Sequence, residues 1–142
     1  MKVHQGTIDV ETRGRGMTDL SRRVQAIVDA SGVTTGLCTL FVQHTSASLV
    51  IQENAEPAVR RDMETWVERI APEDAKAYEH DDEGPDDMPA HLRTTITKTS
   101  ETVPVTKGRL ALGTWQAIYL WEHRRAPHTR TIIVHVQGAS EG

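Results

Sequence analysis

Apolar residues in this chain fall into two rhythms that never settle into a repeat. Leu20, Val24, Ile27 and Val28 stand at i, i+4, i+7 and i+8, which is the stripe of a helix buried along one face. Val59, Met63, Trp66, Val67 and Ile70 give a second stripe. Around them lie short runs of strand character: residues 3–12, Leu37–Val42, Thr102–Thr106, Leu110–Leu112 leading into Gln116–Glu122, and the β-branched Thr131–Gln137. Strands and helices are mixed without a steady strand–helix–strand alternation. That pattern predicts an α+β fold: one compact domain over residues 1–142, mostly antiparallel sheet packed with about three helices.

Local signals set the expected boundaries. Thr18 or Asp19 is placed to cap the first helix and Gly32 to end it. Leu37–Val42 is apolar enough to be covered on both faces, and Val50-Ile51 should continue the sheet after a kink at Thr45-Ser46. Asn54 is a candidate cap for the second helix, Pro57 suits its first turn and Pro72 follows its end. Residues 73–87 hold eight acidic side chains against one Lys, so a long polar loop is expected there. Asp87 should cap, and Pro89 begin, a short third helix running through Leu92 and Ile96. Lys107-Gly108 and Ala126-Pro127-His128 read as turns, and Gly138 onward as a short tail.

Charge and composition narrow the function. Apolar content is 37% and aromatics are few, so Ile, Val and Leu must fill the core. Net charge is −4, and Arg22-Arg23, Arg60-Arg61 and Arg124-Arg125 are scattered doublets rather than a basic patch, which argues against nucleic acid. No apolar stretch reaches membrane-spanning length, and residues 1–5 carry no secretory apolar region, so a cytoplasmic location without membrane attachment is expected. The single Cys38 lies in an apolar run and reads as a buried, inert thiol.

Polar side chains gather at predicted element ends, where chemistry is usually kept. His44 ends a strand, and it suits either a hydrogen-bonded residue at the edge of the core or a ligand or base. Thr45 and Ser46 beside it offer hydroxyls to an anion such as phosphate. His91 falls near a helix start, where the dipole favours the uncharged ring that a metal ligand or general base requires. His80 sits among Asp81, Asp82, Asp86 and Asp87, which suit a shared divalent cation. The spacing from His80 to His91 matches no structural zinc pattern, and paired cysteines are lacking, so a catalytic or substrate-linked cation is the remaining metal reading. Glu122 stands on an apolar strand face and needs a partner, either an arginine (Arg124, Arg125 and Arg130 are near in sequence) or a site. Trp115 and Gln116 could stack on a heteroaromatic ring and bond its edge, or lie in the core.

Together, HTSASLVIQENAEPAV (44–59), YEHDDEGPDDMPAH (78–91), KGRLALGTWQAIYLWEHR (107–124) and TRTIIVHVQG (129–138) closely resemble the YjbQ family, sometimes labelled secondary thiamine-phosphate synthase. The resemblance covers nearly the whole chain; Gln52 and Glu56 stand where the family more often has Asn and Asp. It implies a homotrimer with polar pockets at or near subunit contacts. It also implies a weak transferase activity, coupling hydroxymethylpyrimidine diphosphate to thiazole phosphate with release of pyrophosphate. Carried onto this chain, His44, His91 and Glu122 would be catalytic. Thr45, Ser46, Trp115, Gln116 and Arg130 would bind substrate, and His80, His91, Asp86 and Asp87 would hold Mg2+ or Zn2+. The same residue types suit two rivals: a metal-assisted hydrolase acting on a phosphorylated metabolite, and a non-catalytic trimer that binds an anionic small molecule.

Overall fold

In a computed structural model, which describes residues 1–141, two antiparallel sheets face each other across an apolar interior. The strands are β1 (Lys2–Glu11), β2 (Gly16–Asp19), β3 (Thr35–Val42), β4 (Ala47–Glu53), β5 (Ser100–Thr106), β6 (Arg109–Leu110), β7 (Gln116–Glu122) and β8 (Thr129–Ala139). The helices are α1 (Ser21–Ser31), α2 (Pro57–Ile70) and α3 (Asp87–Ile96), with a 3-10 turn at Ala75–Ala77. The larger sheet runs β1-β8-β3-β5-β6 and the smaller β2-β7-β4. A bridge from Leu49 to Lys98 joins them at one edge, so the sheet curls around its own core. The fold is the expected single α+β domain.

The core lies between the sheets and under α1. Val24 and Val28 of α1 meet Ile8, Cys38, Leu40, Leu49, Ile118, Leu120, Ile132, Val134 and Val136. Alternation does the sorting: residues of one parity on β3 and β8 are buried, and the others face outward. α2 and α3 cover the opposite face of the smaller sheet, where Val67, Ala71 and Ala90 are buried. Cys38 is fully buried, and burial pushes its thiol up to about 11.

Several boundaries differ from the sequence expectation. β2 escaped notice because Gly16-Met17-Thr18-Asp19 has no apolar alternation; it is an edge strand fixed by its register on β7, Gly16 opposite Glu122. β3 is not covered on both faces within one chain, since Leu37 and Phe41 are 44% and 47% exposed. Asn54 does not cap α2: Glu56 holds the N-cap position, and the Asn54 backbone N–H donates to the Trp115 carbonyl. Asp86, not Asp87, holds the N-cap position of α3, and neither carboxylate caps it. Both are drawn instead to Arg124, which matters below. Neither Thr18 nor Asp19 holds the N-cap position of α1, which is Leu20 and has no side-chain cap; Asp19 Oδ1 accepts from the Ser21 N–H, and Gly32 ends that helix as expected in the left-handed conformation with φ 70°. The expected tail is strand as far as Ala139; there Gly138 passes so close to Gly36 that a Cβ on either would strike the neighbouring backbone.

Candidate metal centre

The chain crosses from the larger to the smaller sheet at His44-Thr45-Ser46, between β3 and β4. This crossing sets the site. The Thr45 carbonyl accepts from the Thr94 hydroxyl at 2.9 Å and meets His91 Nδ1 at 3.1 Å. A carbonyl can only accept, so Nδ1 carries a hydrogen; in an uncharged ring that makes Nε2 the nitrogen free to bind a metal, and in an imidazolium both nitrogens donate. Nε2 lies 3.2 Å from Asp87 Oδ2. His80, on the acidic loop, brings its own Nε2 to 2.7 Å from the same oxygen. The two imidazoles meet edge to face, with centroids 5.7 Å apart. One ligand atom from each of His80, Asp87 and His91 lies within 4.8 Å of the others.

Arg124 fixes the carboxylate. Its Nη1 donates to Asp87 Oδ1 at 2.7 Å, its Nε to Asp86 Oδ2 at 3.1 Å and its Nη2 to the Glu83 carbonyl. The Arg125 N–H also donates to Asp86 Oδ2. Burial pushes both carboxyls up, but these donors, with His80 and His91 at Asp87, outweigh it and hold both below the usual carboxylate range. The bond to Asp87 raises His80 above its ordinary value. Asp87, with its side chain 3% exposed, is thus a fixed anion that presents one oxygen to two nitrogens.

A polar chain links this cluster to His44. The Arg124 N–H donates to Glu122 Oε2, and Glu122 forms a two-pronged pair with Arg130: Nε to Oε1 at 2.7 Å and Nη2 to Oε2 at 2.6 Å. Thr12 donates to Glu122, and Arg130 Nη2 reaches Ser46 Oγ at 2.9 Å. Ser46 then meets His44: its N–H donates to Nδ1 at 3.1 Å, and its hydroxyl lies 3.0 Å from the same atom. With Nδ1 accepting, a neutral His44 carries its hydrogen on Nε2. Burial, then the nearby Arg130 charge, lower its pKa and favour the neutral form. His44 is therefore built to donate a hydrogen bond, not to join the metal ligands.

The structure brings His80, Asp86, Asp87 and His91 together, with His44, Thr45 and Ser46 alongside. It does not bring Trp115 and Gln116 there. They lie at the other end of β7, Gln116 as its first residue and Trp115 just before it, about 20 Å from Glu122 at the usual strand rise. Trp115 is 62% exposed, and Gln116 turns its carboxamide back to the Gly113 N–H. Glu122 and Arg130 are 2% and 1% exposed and pair with each other in the interior between the sheets. Arg124 was missed because, as half of an arginine doublet after a strand, it looks like a solvated face. His123 points away from Glu122, under α2 and α3, where its Nε2 meets Ser48 Oγ at 2.8 Å. Trp121 and Arg93 both bond Glu64 there.

Comparison with known proteins supports the fold and places the sequence. A family model described as UPF0047 protein YjbQ-like matches residues 6–139. A UPF0047 protein of Synechocystis sp. is 53% identical over 137 residues, covering 96% of this chain and 93% of that protein. The UPF0047 protein YjbQ of Escherichia coli O157:H7 is 43% identical over 136 residues, covering 95% and 98%. A crystal structure of a YbjQ-like protein of unknown function from Sulfolobus solfataricus P2 superposes with a TM-score of 0.84 at 26% identity, covering 96% of this chain and 99% of that one. A conserved hypothetical protein from Thermus thermophilus gives 0.79 at 33% identity, covering 90% and 97%.

Proposed function

The chain belongs to the YjbQ-like UPF0047 family, and from that membership and the His80–Asp87–His91 cluster we propose that it is a metal-dependent enzyme acting on a phosphorylated small molecule. One observation carries the reading. His80 Nε2 and His91 Nε2 converge on the same Asp87 oxygen, at 2.7 Å and 3.2 Å, and one ligand atom from each residue lies within 4.8 Å of the others. Two imidazole nitrogens and a carboxylate oxygen suit Zn2+ better than Mg2+, and three protein ligands leave a coordination position open. Such an ion, when bound, polarises a phosphoryl oxygen or lowers the pKa of a bound water.

The residues then divide the work. Asp87 supplies the anionic ligand, and Arg124 holds it in place. The Thr45 carbonyl orients His91. His44 offers its Nε2–H, and the Thr45 hydroxyl its own hydrogen, to substrate oxygens. Glu122 and Arg130 position Ser46, and through it His44. The first reaction to test is the thiamine-phosphate synthase coupling: the pyrimidine methylene carbon bonds to the thiazole nitrogen as pyrophosphate leaves with the electron pair. Hydrolysis of a phosphorylated metabolite is the second reading, favoured by the nitrogen-rich ligand set, which suits water activation.

Zinc titration by calorimetry on EDTA-stripped protein tests the centre, with pyrophosphate and phosphate release assays beside it. The expected result is zinc-dependent turnover that Asp87→Asn and His91→Ala abolish together with zinc affinity. Tight zinc binding with no turnover on any phosphorylated candidate would reduce the chain to a binder. No zinc binding by the unmutated protein would end the proposal.

A homotrimer is part of the same proposal. The outward face of the larger sheet shows Val3, Leu37 and Phe41 at 63%, 44% and 47% exposure, an apolar surface that copies of the chain would cover. A monomeric mass by light scattering at micromolar concentration would contradict it. A cytoplasmic setting is also proposed; among the described residues no helix is long and apolar enough to cross a membrane.

A further inference from the structure

The acidic loop conceals an apolar recess. Residues 73–87 are dominated by carboxylates, yet Tyr78 and Pro85, with Met88 just beyond, turn toward one recess of about 180 Å³. His80, Asp81 and Gly84 complete its lining. Tyr78 and Met88 are half-buried, and the Tyr78 hydroxyl is tied to the Pro72 carbonyl at 2.7 Å, which fixes the ring. Gly84, with φ 103°, lies in a conformation that side chains rarely adopt, and a Cβ there would press on Asp86 Oδ1 at 3.3 Å. His80 belongs to both places. It lines the recess and its Nε2 lies 2.7 Å from Asp87, so the recess opens beside the metal cluster.

Size and chemistry choose an occupant. An apolar cavity of about 150 Å³ holds one benzene-sized ring. A tyrosine ring, a proline ring and a polarisable thioether are surfaces for a flat ring to lie against. The rim adds a sign: Asp81 lines the recess, and Asp82 and Glu83 are exposed next to it. A ring bearing a negative charge is repelled there. A neutral or cationic ring is favoured, by the carboxylates and by the face of Tyr78. We propose that this recess is the specificity pocket of the enzyme and receives a single neutral or cationic ring of the substrate, placed so that the substrate's anionic group reaches the metal cluster. The inference rests on the metal reading only for the destination of that anionic group.

The test uses the unmutated protein labelled with 13C at its methionine methyls, in EDTA, titrated with benzylamine and separately with benzoate. The Met88 methyl resonance is expected to move saturably with benzylamine, while those of Met17 and Met63 stay in place. Benzoate should bind at least about threefold to tenfold more weakly, the factor that one cation–ring contact supplies. Tyr78→Leu should weaken benzylamine by a similar factor and Tyr78→Phe, which keeps the ring and loses only its tie to Pro72, should weaken it less, with undisturbed Met17 and Met63 signals reporting that both variants fold. An unmoved Met88 signal, equal binding of benzoate, or equal loss in both Tyr78 variants overturns the proposal. Because EDTA is present, the outcome is independent of zinc: failure here leaves the metal centre standing, and a failed zinc titration leaves the recess.

Discussion

Replacing His123 with glutamine should remove most of the protein's sensitivity to mild acid. His123 is completely buried beneath Trp121, whose ring lies 5.1 Å away. Its Nε2 meets Ser48, while its Nδ1 has no hydrogen-bond partner. Burial, then the neighbouring Arg93 charge, pushes its pKa down from 6.5 to about 3. Between those values the unfolded chain binds a proton at His123 that the folded chain refuses. Stability is therefore fully present above pH 6.5 and falls as the pH drops toward 3. At pH 5 the unfolded form gains about 1.5 pH units of proton binding at 1.36 kcal/mol each, or about 2 kcal/mol. That is a large part of a typical stability of 5–15 kcal/mol. His80 works in the opposite direction: its raised pKa gives stability that is present below its ordinary value and lost as the pH rises through the raised one. His44, lowered by burial and by Arg130, loses stability in the same direction as His123; His44 and His80 are both unchanged by the substitution and cancel in the comparison. The lowered carboxyls of Asp86, Asp87 and Glu122 give stability that is lost only as the pH falls below the ordinary carboxylate range, outside this window. Glutamine can keep a bond to Ser48 but does not titrate. Urea unfolding in EDTA at pH 7.5 and pH 5 measures both proteins. Wild type should lose about 2 kcal/mol more than His123→Gln between the two. Parallel losses would refute the assignment of the acid response to His123.

The Glu122–Arg130 pair should behave as structure. Glu122→Gln leaves a guanidinium that is 1% exposed without its anion and should cost about 3–5 kcal/mol, whereas Glu122→Gln with Arg130→Met should cost clearly less, read by chemical denaturation; a stable single variant would contradict this. Arg124→Ala, which frees the Asp87 carboxylate without touching the ligands, should weaken zinc by about 10–100-fold in calorimetry; unchanged affinity would remove Arg124 from the site. Cys38, pushed up to about 11 and fully buried, should resist iodoacetamide at pH 8 until urea unfolds the chain; labelling of the native protein would show that the interior opens there.

Sequence patterning was enough to find α1, α2 and α3 and seven of the eight strands, because each buries one face and writes that face into its period. It missed β2, whose position comes from its pairing on β7 and not from its own side chains. The residue types of the metal centre were legible too: His80, Asp86, Asp87 and His91 stood out as imidazoles and carboxylates at element ends. Their partners were not. Arg124 reaches Asp87 over 37 positions, and Thr45 orients His91 over 46. No local pattern records contacts at such separation, since they arise only when β7 and the β3–β4 crossing come to lie beside α3.

The amino-acid order by itself determined the fold class, the inert thiol and the candidate ligands, because burial periodicity and side-chain chemistry are properties of neighbours along the chain. The folded molecule decided the rest. It put Glu122 and Arg130 into the interior as a pair and set Trp115 at the far end of β7. It set His44 Nδ1 against a backbone N–H and His91 Nδ1 against a carbonyl. Those outcomes depend on which backbone groups a side chain meets in space.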